Sequence, residues 1–276
     1  MVESRIYDIF KRGSKTYFYN SLFFPRRVRE DVFRLYSFVR EADNYVDAVP
    51  QRKEDFCDFY ESFCKSWDGR KSGDLVLDGF VDLGKRKRFE KGWVEAFLSS
   101  MEMDLTKKTY RTVEEVEEYI YGSAEVIGLM MCRIMDVDDR FLPNARALGK
   151  AMQYINFIRD IDEDNGLGRT YIPEVELRMY DLKDLKEPTV RKRPECFAAL
   201  IDHQIERYLK WQAEAERGYA GLAKDVKVPI VNASDMYKWT AMKILRNPMI
   251  VYRKKVKPSK SRIVLNILSK KIYLGR

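Results

Sequence analysis

Histidine is almost missing from this chain: His203 is the only one in 276 residues. A serine–histidine or cysteine–histidine triad would have to draw on it, and no nucleophile motif points to it. A partly exposed place on a helix is the expectation. Four cysteines, Cys57, Cys64, Cys132 and Cys196, stand apart with no CxxC spacing. They read as reduced, mostly buried thiols, which argues against a zinc site or a disulfide framework. Glycine (14) and proline (9) are sparse, which suits long helices better than strands and turns. No run of about 18 apolar residues occurs, so no transmembrane helix is expected. Residues 1–5 lack the apolar stretch of a secretory signal, and a cytoplasmic protein is expected.

What is present is a large apolar store, 45% of the residues with 13% aromatic, which excludes disorder of the whole chain. The formal charge of +8 calls for a partner or a solvated face. Much of it lies near the C-terminus, in Arg253, Lys254, Lys255, Lys257, Lys260, Arg262, Lys270 and Lys271. Ile263, Val264, Leu265, Ile267 and Leu268 alternate with these charges, so residues 256–276 form a basic amphipathic tail. An anionic substrate or peripheral contact with an anionic membrane surface, at the inner face of the membrane, suits such a tail. Nucleic acid is the weakest choice, because no zinc-finger, helix-turn-helix or RNA-recognition signature accompanies the charge.

The hydrophobic period is helical nearly throughout. Apolar residues at 28, 32, 35, 36 and 39 predict a helix over 28–46, with Pro25 at its start. Phe56, Phe59, Phe63 and Trp67 form the stripe of a helix over 54–67. Helices are also predicted over 91–105, from a capping box at Thr112 and Glu115 toward Met135, over 143–162, after Pro173, and over 195–222 and 231–245. Residues 68–73 and 184–194 read as surface loops. No repeat or linker divides the chain. The prediction is one all-α domain over 1–276, about ten helices around a common centre.

Two acidic pairs stand out on these helices, Asp43 with Asp47 and Asp160 with Asp164. A spacing of four puts both carboxylates of a pair on one helix face. A single such pair is usually solvated surface. Here each sits in an apolar helix, among Leu35, Tyr36, Phe38 and Val39 in one case and Met152, Tyr154, Ile155, Phe157 and Ile158 in the other. Aspartates on core helices must be paired, hydrogen-bonded or metal-bound. Two facing pairs would make a cage of hard oxygens for several Mg2+ ions bridging a diphosphate, with Asn156 as a neutral donor one turn before Asp160. Arg40, Arg159 and Arg169 are candidates for the phosphate oxygens, a surface salt bridge being the plain alternative for each.

These segments resemble the squalene/phytoene synthases, the head-to-head branch of the trans-prenyl transferases. READNYVD (40–47) resembles the first aspartate motif of that family, and QYINFIRDIDED (153–164) the second, QxxNxxRDxxED. GRTYIP (168–173) is similar to its GRxYxP continuation, MEMDL (101–105) to MxxDL, and YIYGSAEVIG (119–128) to YxYxxAxxxG. The resemblance runs in family order over roughly residues 11 to 255. Ser100 and Glu125 depart from it, and Glu125 is expected to set a charge beside an apolar cavity.

The resemblance implies a class I isoprenoid synthase-like helical bundle around a large central cavity. It implies Mg2+-dependent joining of two prenyl diphosphates through a cyclopropylcarbinyl diphosphate, with release of diphosphate. Two geranylgeranyl diphosphates giving phytoene are the first choice, most like a prokaryotic phytoene synthase. Squalene or dehydrosqualene from two farnesyl diphosphates is the alternative, with NADPH only in the squalene case. A non-catalytic member of the fold is the minor one, and it would be expected to have lost the aspartates. Ser14, Tyr17, Tyr36, Gln153, Tyr237 and Arg253 map to substrate positions, although the tyrosines could equally be core residues. Acid/base work falls to Tyr119; Tyr121 lies roughly 200° further round the helix.

Overall fold

The structure, a computed structural model, describes residues 4–274. The first three and last two residues, which include the end of the predicted tail, lie outside the described residues. Helices α1 (Ser4–Gly13) and α2 (Lys15–Ser21) lead into α3 (Arg26–Asp47), α4 (Lys53–Trp67), α5 (Leu75–Lys87) and α6 (Lys91–Thr106). Helix α7 (Val113–Ile120) passes through a π turn (Tyr121–Glu125) into α8 (Val126–Ile134). Helix α9 (Leu142–Arg159) is followed by the short α10 (Ile161–Gly166), α11 (Glu174–Met179) and α12 (Glu187–Arg191). The long α13 (Pro194–Arg217) and α14 (Lys224–Arg246) complete the bundle, and α15 (Lys260–Leu274) lies on its outside. Among the described residues the only β contact is an isolated bridge between Thr109 and Thr170. The all-α expectation holds.

Packing follows from the aromatic stripes. Phe38 of α3 stacks on Phe80 of α5 at 3.8 Å and meets Phe59 and Phe63 of α4 and Phe97 of α6 within 6.0 Å. Each ring buried this way contributes about 1.5–3 kcal/mol. Helices α8 and α9 approach so closely that a Cβ at Gly128 would lie 2.4 Å from the Ala145 carbonyl oxygen. Glycine is the residue that permits this crossing, and the two helices can then share one cavity wall.

The elements are more numerous and shorter than the sequence period suggests. The predicted helix over 143–162 breaks at Asp160, whose φ of −100° and ψ of 16° leave the helical basin. The run from Thr112 toward Met135 contains the π turn, where backbone bonding shifts from i+4 to i+5. Thr112 caps as predicted, accepting from Glu115 N at 3.4 Å, but the Glu115 carboxylate reaches back to Arg111 N instead of closing on Thr112. The predicted loop over 184–194 holds α12. Helix α5, absent from the predicted set, buries Val76, Leu77, Phe80, Val81 and Leu83 along one face, and the Asp74 carboxylate starts it by accepting from Val76 and Leu77 N at 2.9 and 3.0 Å. Of the thiols only Cys132 is buried, and Cys57 is exposed on the outer face of α4, contrary to expectation. His203 is partly exposed on α13, as expected.

Candidate active site

A cavity of about 1400 Å³ of empty space, its open mouth included, runs between α2, α3, α8, α9 and α14. One stripe of α9 lines it from end to end: Ala145, Leu148, Gly149, Met152, Gln153 and Asn156. Val32, Leu35, Tyr36 and Val39 of α3 line it as well, and one turn beyond Val39 comes Asp43. One turn beyond Asn156 comes Asp160. Both aspartate motifs therefore cap the same end of an otherwise apolar cavity.

One residue ties the motifs together. The Arg169 N–H donates to the Asp164 carbonyl at 2.8 Å, while its guanidinium reaches Asp47 Oδ1 at 2.6 Å and the Val46 carbonyl at 2.8 Å. Its side chain is buried, and the last carbonyls of α3 are satisfied through it and through Gln51, which donates to the Val46 and Asp104 carbonyls. Arg40 pairs with Asp43, and Arg159 pairs with Asp160 through two bonds. The arginines thus hold the carboxylates.

The charge is held against its preference. Burial and the neighbouring Asp47, opposed by Arg40, push the Asp43 carboxyl up to about 7. Burial and Asp160, opposed by Arg169, push Asp164 up to about 8. Asn156 Oδ1 is buried and has no hydrogen-bond partner. Crowded carboxyls that resist ionisation, beside an orphaned amide oxygen, are a donor set suited to hard divalent cations. Among the described residues, three acidic side chains do not converge tightly enough to hold an ion by themselves.

The remaining predicted residues divide into groups. Tyr17, Tyr36 and Gln153 line the cavity below the aspartates. Ser14 caps α2, accepting from Tyr17 N at 3.4 Å, and Tyr17 Oη donates to Met152 Sδ at 3.2 Å. Tyr237 is buried beside Tyr17, with ring centroids 5.8 Å apart. Tyr119 is buried and Tyr121 is exposed beneath Arg146, so the two part as the helical angle requires. Arg253 is exposed at the end of a 3-10 turn and makes no ion pair among the described residues. Lys255 from the same segment lies 3.4 Å from Asp160 Oδ1 and pairs with Glu163. Burial and the nearby Arg159 and Lys255 bring Lys257 down to about 8. Glu125 does not charge the cavity wall: it turns away, to Arg146 Nε at 2.7 Å and Lys150 Nζ at 3.1 Å.

Asp104 is the site residue that spacing alone did not single out. It is 2% exposed and accepts from Tyr119 Oη at 2.6 Å and Tyr171 Oη at 2.8 Å. Burial raises its carboxyl, against the opposing pull of Arg169 and of both hydroxyls. The signal was available in its place on the apolar stripe of α6, the same criterion that marked the acidic pairs. Ser100 supports this corner, its Oγ donating to the Tyr119 carbonyl at 3.0 Å just ahead of the π turn.

The family profile of squalene/phytoene synthase matches residues 10–262. The chain belongs to that family. It is a prenyltransferase. Among its relatives, a 15-cis-phytoene synthase of Paracoccus sp. is 28% identical over 264 residues, 91% of this chain and 84% of the relative. A 15-cis-phytoene synthase of Synechococcus elongatus is 27% identical, covering 90% and 85%. Among solved structures, a dehydrosqualene synthase in complex with ligand superposes with a TM-score of 0.86 at 21% identity, over 98% of this chain and 95% of that one. A squalene synthase of Alicyclobacillus acidocaldarius gives 0.78 at 20% identity, over 87% and 92%. At these identities the solved structures establish the shared fold, an isoprenoid synthase-like bundle.

Proposed function

We propose that this protein condenses two geranylgeranyl diphosphates head to head to phytoene, with Mg2+, through a cyclopropylcarbinyl diphosphate. The observation that carries the reading is the junction of both aspartate motifs at one end of a long apolar cavity, tied by Arg169. The phytoene synthases among its relatives support the choice of substrate. Asp43, Asp47, Asn156, Asp160 and Asp164 would hold the ions. Bound there, the ions would take up negative charge on the departing diphosphate.

The residues of the chain perform the rest. Arg40 and Arg159 exchange their carboxylate partners for phosphate oxygens as substrate enters, matching guanidinium forks to the anion. Arg169 stays on Asp47 and keeps the motifs in register. The cavity excludes water, and Tyr17 and Tyr36 offer ring faces to the carbocation while presenting no strong nucleophile. Ionisation of one substrate releases its diphosphate, and attack of the second substrate's double bond on that cation with loss of a proton closes the cyclopropyl ring. Ionisation of this intermediate releases the second diphosphate, and rearrangement with loss of a second proton gives the 1-1' link. Tyr119 Oη takes up the proton lost in the last step as its own proton passes along its hydrogen bond to Asp104. Departed diphosphate is the competing base.

The tail adds a location. Helix α15 buries Ile263 and Ile267 against α14 and leaves Leu265 (66%) and Leu268 (48%) exposed among lysines and arginines. Among the described residues no helix is long and apolar enough to cross a membrane. Peripheral contact of this face with anionic lipid, on the cytoplasmic side, suits a lipid-soluble product.

Separate incubations of purified protein with Mg2+ and either geranylgeranyl or farnesyl diphosphate, with and without NADPH, test the reading. A C40 hydrocarbon formed without NADPH is expected. Product from farnesyl diphosphate alone would overturn the phytoene assignment.

A further inference from the structure

The cavity has a second end. Along the cavity α3 runs from Val32 to Asp43, α8 with the π turn before it from Met135 back to Ser123, α9 from its first turn to Asp160, and α14 from Pro229 to Tyr237. All four therefore run between the same two poles, with the charged site at one and a floor at the other. Phe141 lines that floor and precedes Asp160 by 19 residues. That separation corresponds to roughly 28 Å of helix.

Phe141 differs from its floor neighbours in what backs it. Its ring lies on Gly221, where a Cβ would stand 2.2 Å from Cδ2 and 2.3 Å from Cε2. Arg140 covers the ring from outside, its guanidinium carbon 4.9 Å from the centroid. The ring is half-buried, at a place where the bundle meets solvent. Val137 lines the same floor but is backed by the main core, so trimming it would widen the cavity without opening it outward. Trimming Phe141 would open the floor outward. The ring is held by a 3-10 turn (Asp139–Phe141) in which Phe141 N donates to the Asp138 carbonyl at 3.0 Å.

We infer that Phe141, seated on Gly221 and covered by Arg140, is the plug that sets the longest prenyl chain this cavity admits. The inference rests on the prenyltransfer reading and assigns its length specificity to one side chain. A chain whose diphosphate is fixed at the aspartate end extends toward this ring, and each further isoprene unit must pass it. A few methylenes against a rigid wall change selectivity by about 10- to 200-fold.

The test compares diphosphate release from farnesyl, geranylgeranyl and geranylfarnesyl diphosphates by wild type, Phe141→Ala and Phe141→Trp. Phe141→Ala is expected to raise kcat/KM for the C25 substrate relative to the C20 substrate at least tenfold. Phe141→Trp is expected to raise the C15 to C20 ratio. Should Phe141→Ala fail to fold, Phe141→Leu gives the same direction with a smaller shift. Unchanged ratios in active variants overturn the plug alone. A wild type that releases no diphosphate from any chain length overturns the prenyltransfer reading, and the plug with it.

Discussion

The two ends of the cavity are built by opposite means. At the charged end, local spacing does most of the work: a step of four from one aspartate of a pair to the next, one turn from Asn156 to Asp160, and Arg169 five residues after Asp164. At the floor, Phe24, Met135, Phe141, Leu222 and Pro229 arrive from five separate stretches of chain. Chemistry that needs several charges at fixed separations is economically placed on one helix face. A wall needs only bulk, and any part of the chain can supply it. The first end should therefore respond to substitution through turnover, and the second through choice of substrate.

The largest effect is expected at the charged end. Asp160→Asn with Asp164→Asn should lower turnover by about a thousandfold or more, since preorganised charge supplies most of the rate acceleration in such sites. Measuring C40 hydrocarbon from geranylgeranyl diphosphate checks this, and retained activity would break the contrast. Arg169→Met should destabilise the protein by about 3 kcal/mol, the low end for a buried pair because Asp47 is 38% exposed, as read from urea unfolding. Asp104→Asn should cost about 1–3 kcal/mol, because two buried tyrosine hydroxyls lose a charged acceptor. If Asp104 also takes up the Tyr119 proton, the variant will flatten the pH profile of turnover, which a purely structural loss would not do.

A subtler effect follows from the raised carboxyls. Asp43 and Asp164 ionise near their ordinary value of 3.8 when unfolded, and only at about 7 and about 8 when folded. Between these limits the folded state binds more protons, so the stability of the metal-free protein falls as pH rises from about 4 to about 8. Asp164→Asn should raise its melting temperature at pH 8 and change it little at pH 4. The smallest effect is expected far from both ends. Leu265→Ser with Leu268→Ser should weaken binding to anionic vesicles several-fold and leave turnover of detergent-dispersed substrate unchanged.

Legibility in the sequence tracks this contrast. Asp43, Asn156 and Asp160 could be picked out because they stand on predicted apolar helices, and Asp47 and Asp164 because each follows one of those aspartates at helical spacing. The structure places all five at one end of the cavity. Asp104 escaped because it has no partner four residues away; its partners, Tyr119 and Tyr171, come from α7 and from the loop before α11. Lys255 and Lys257 read as tail charge, yet the chain doubles back after α14 and brings them to Asp160 and Arg159. The break at Asp160 was hidden because an apolar period continues through Ile161, while backbone angles and not side-chain pattern end the helix. The floor was not legible at all, since nothing in the sequence around Phe141 marks Gly221 as its seat.

The central claim is that the aspartates of both motifs form one site for metal and diphosphate. Thermal unfolding at pH 8 in Mg2+, in inorganic diphosphate and in both together tests it without assuming any chain length. The predicted result is a rise in melting temperature with both that exceeds the sum of the separate rises, lost when Asp43→Asn and Asp164→Asn are combined. Purely additive shifts, or a combined rise that survives in that double variant, would contradict it.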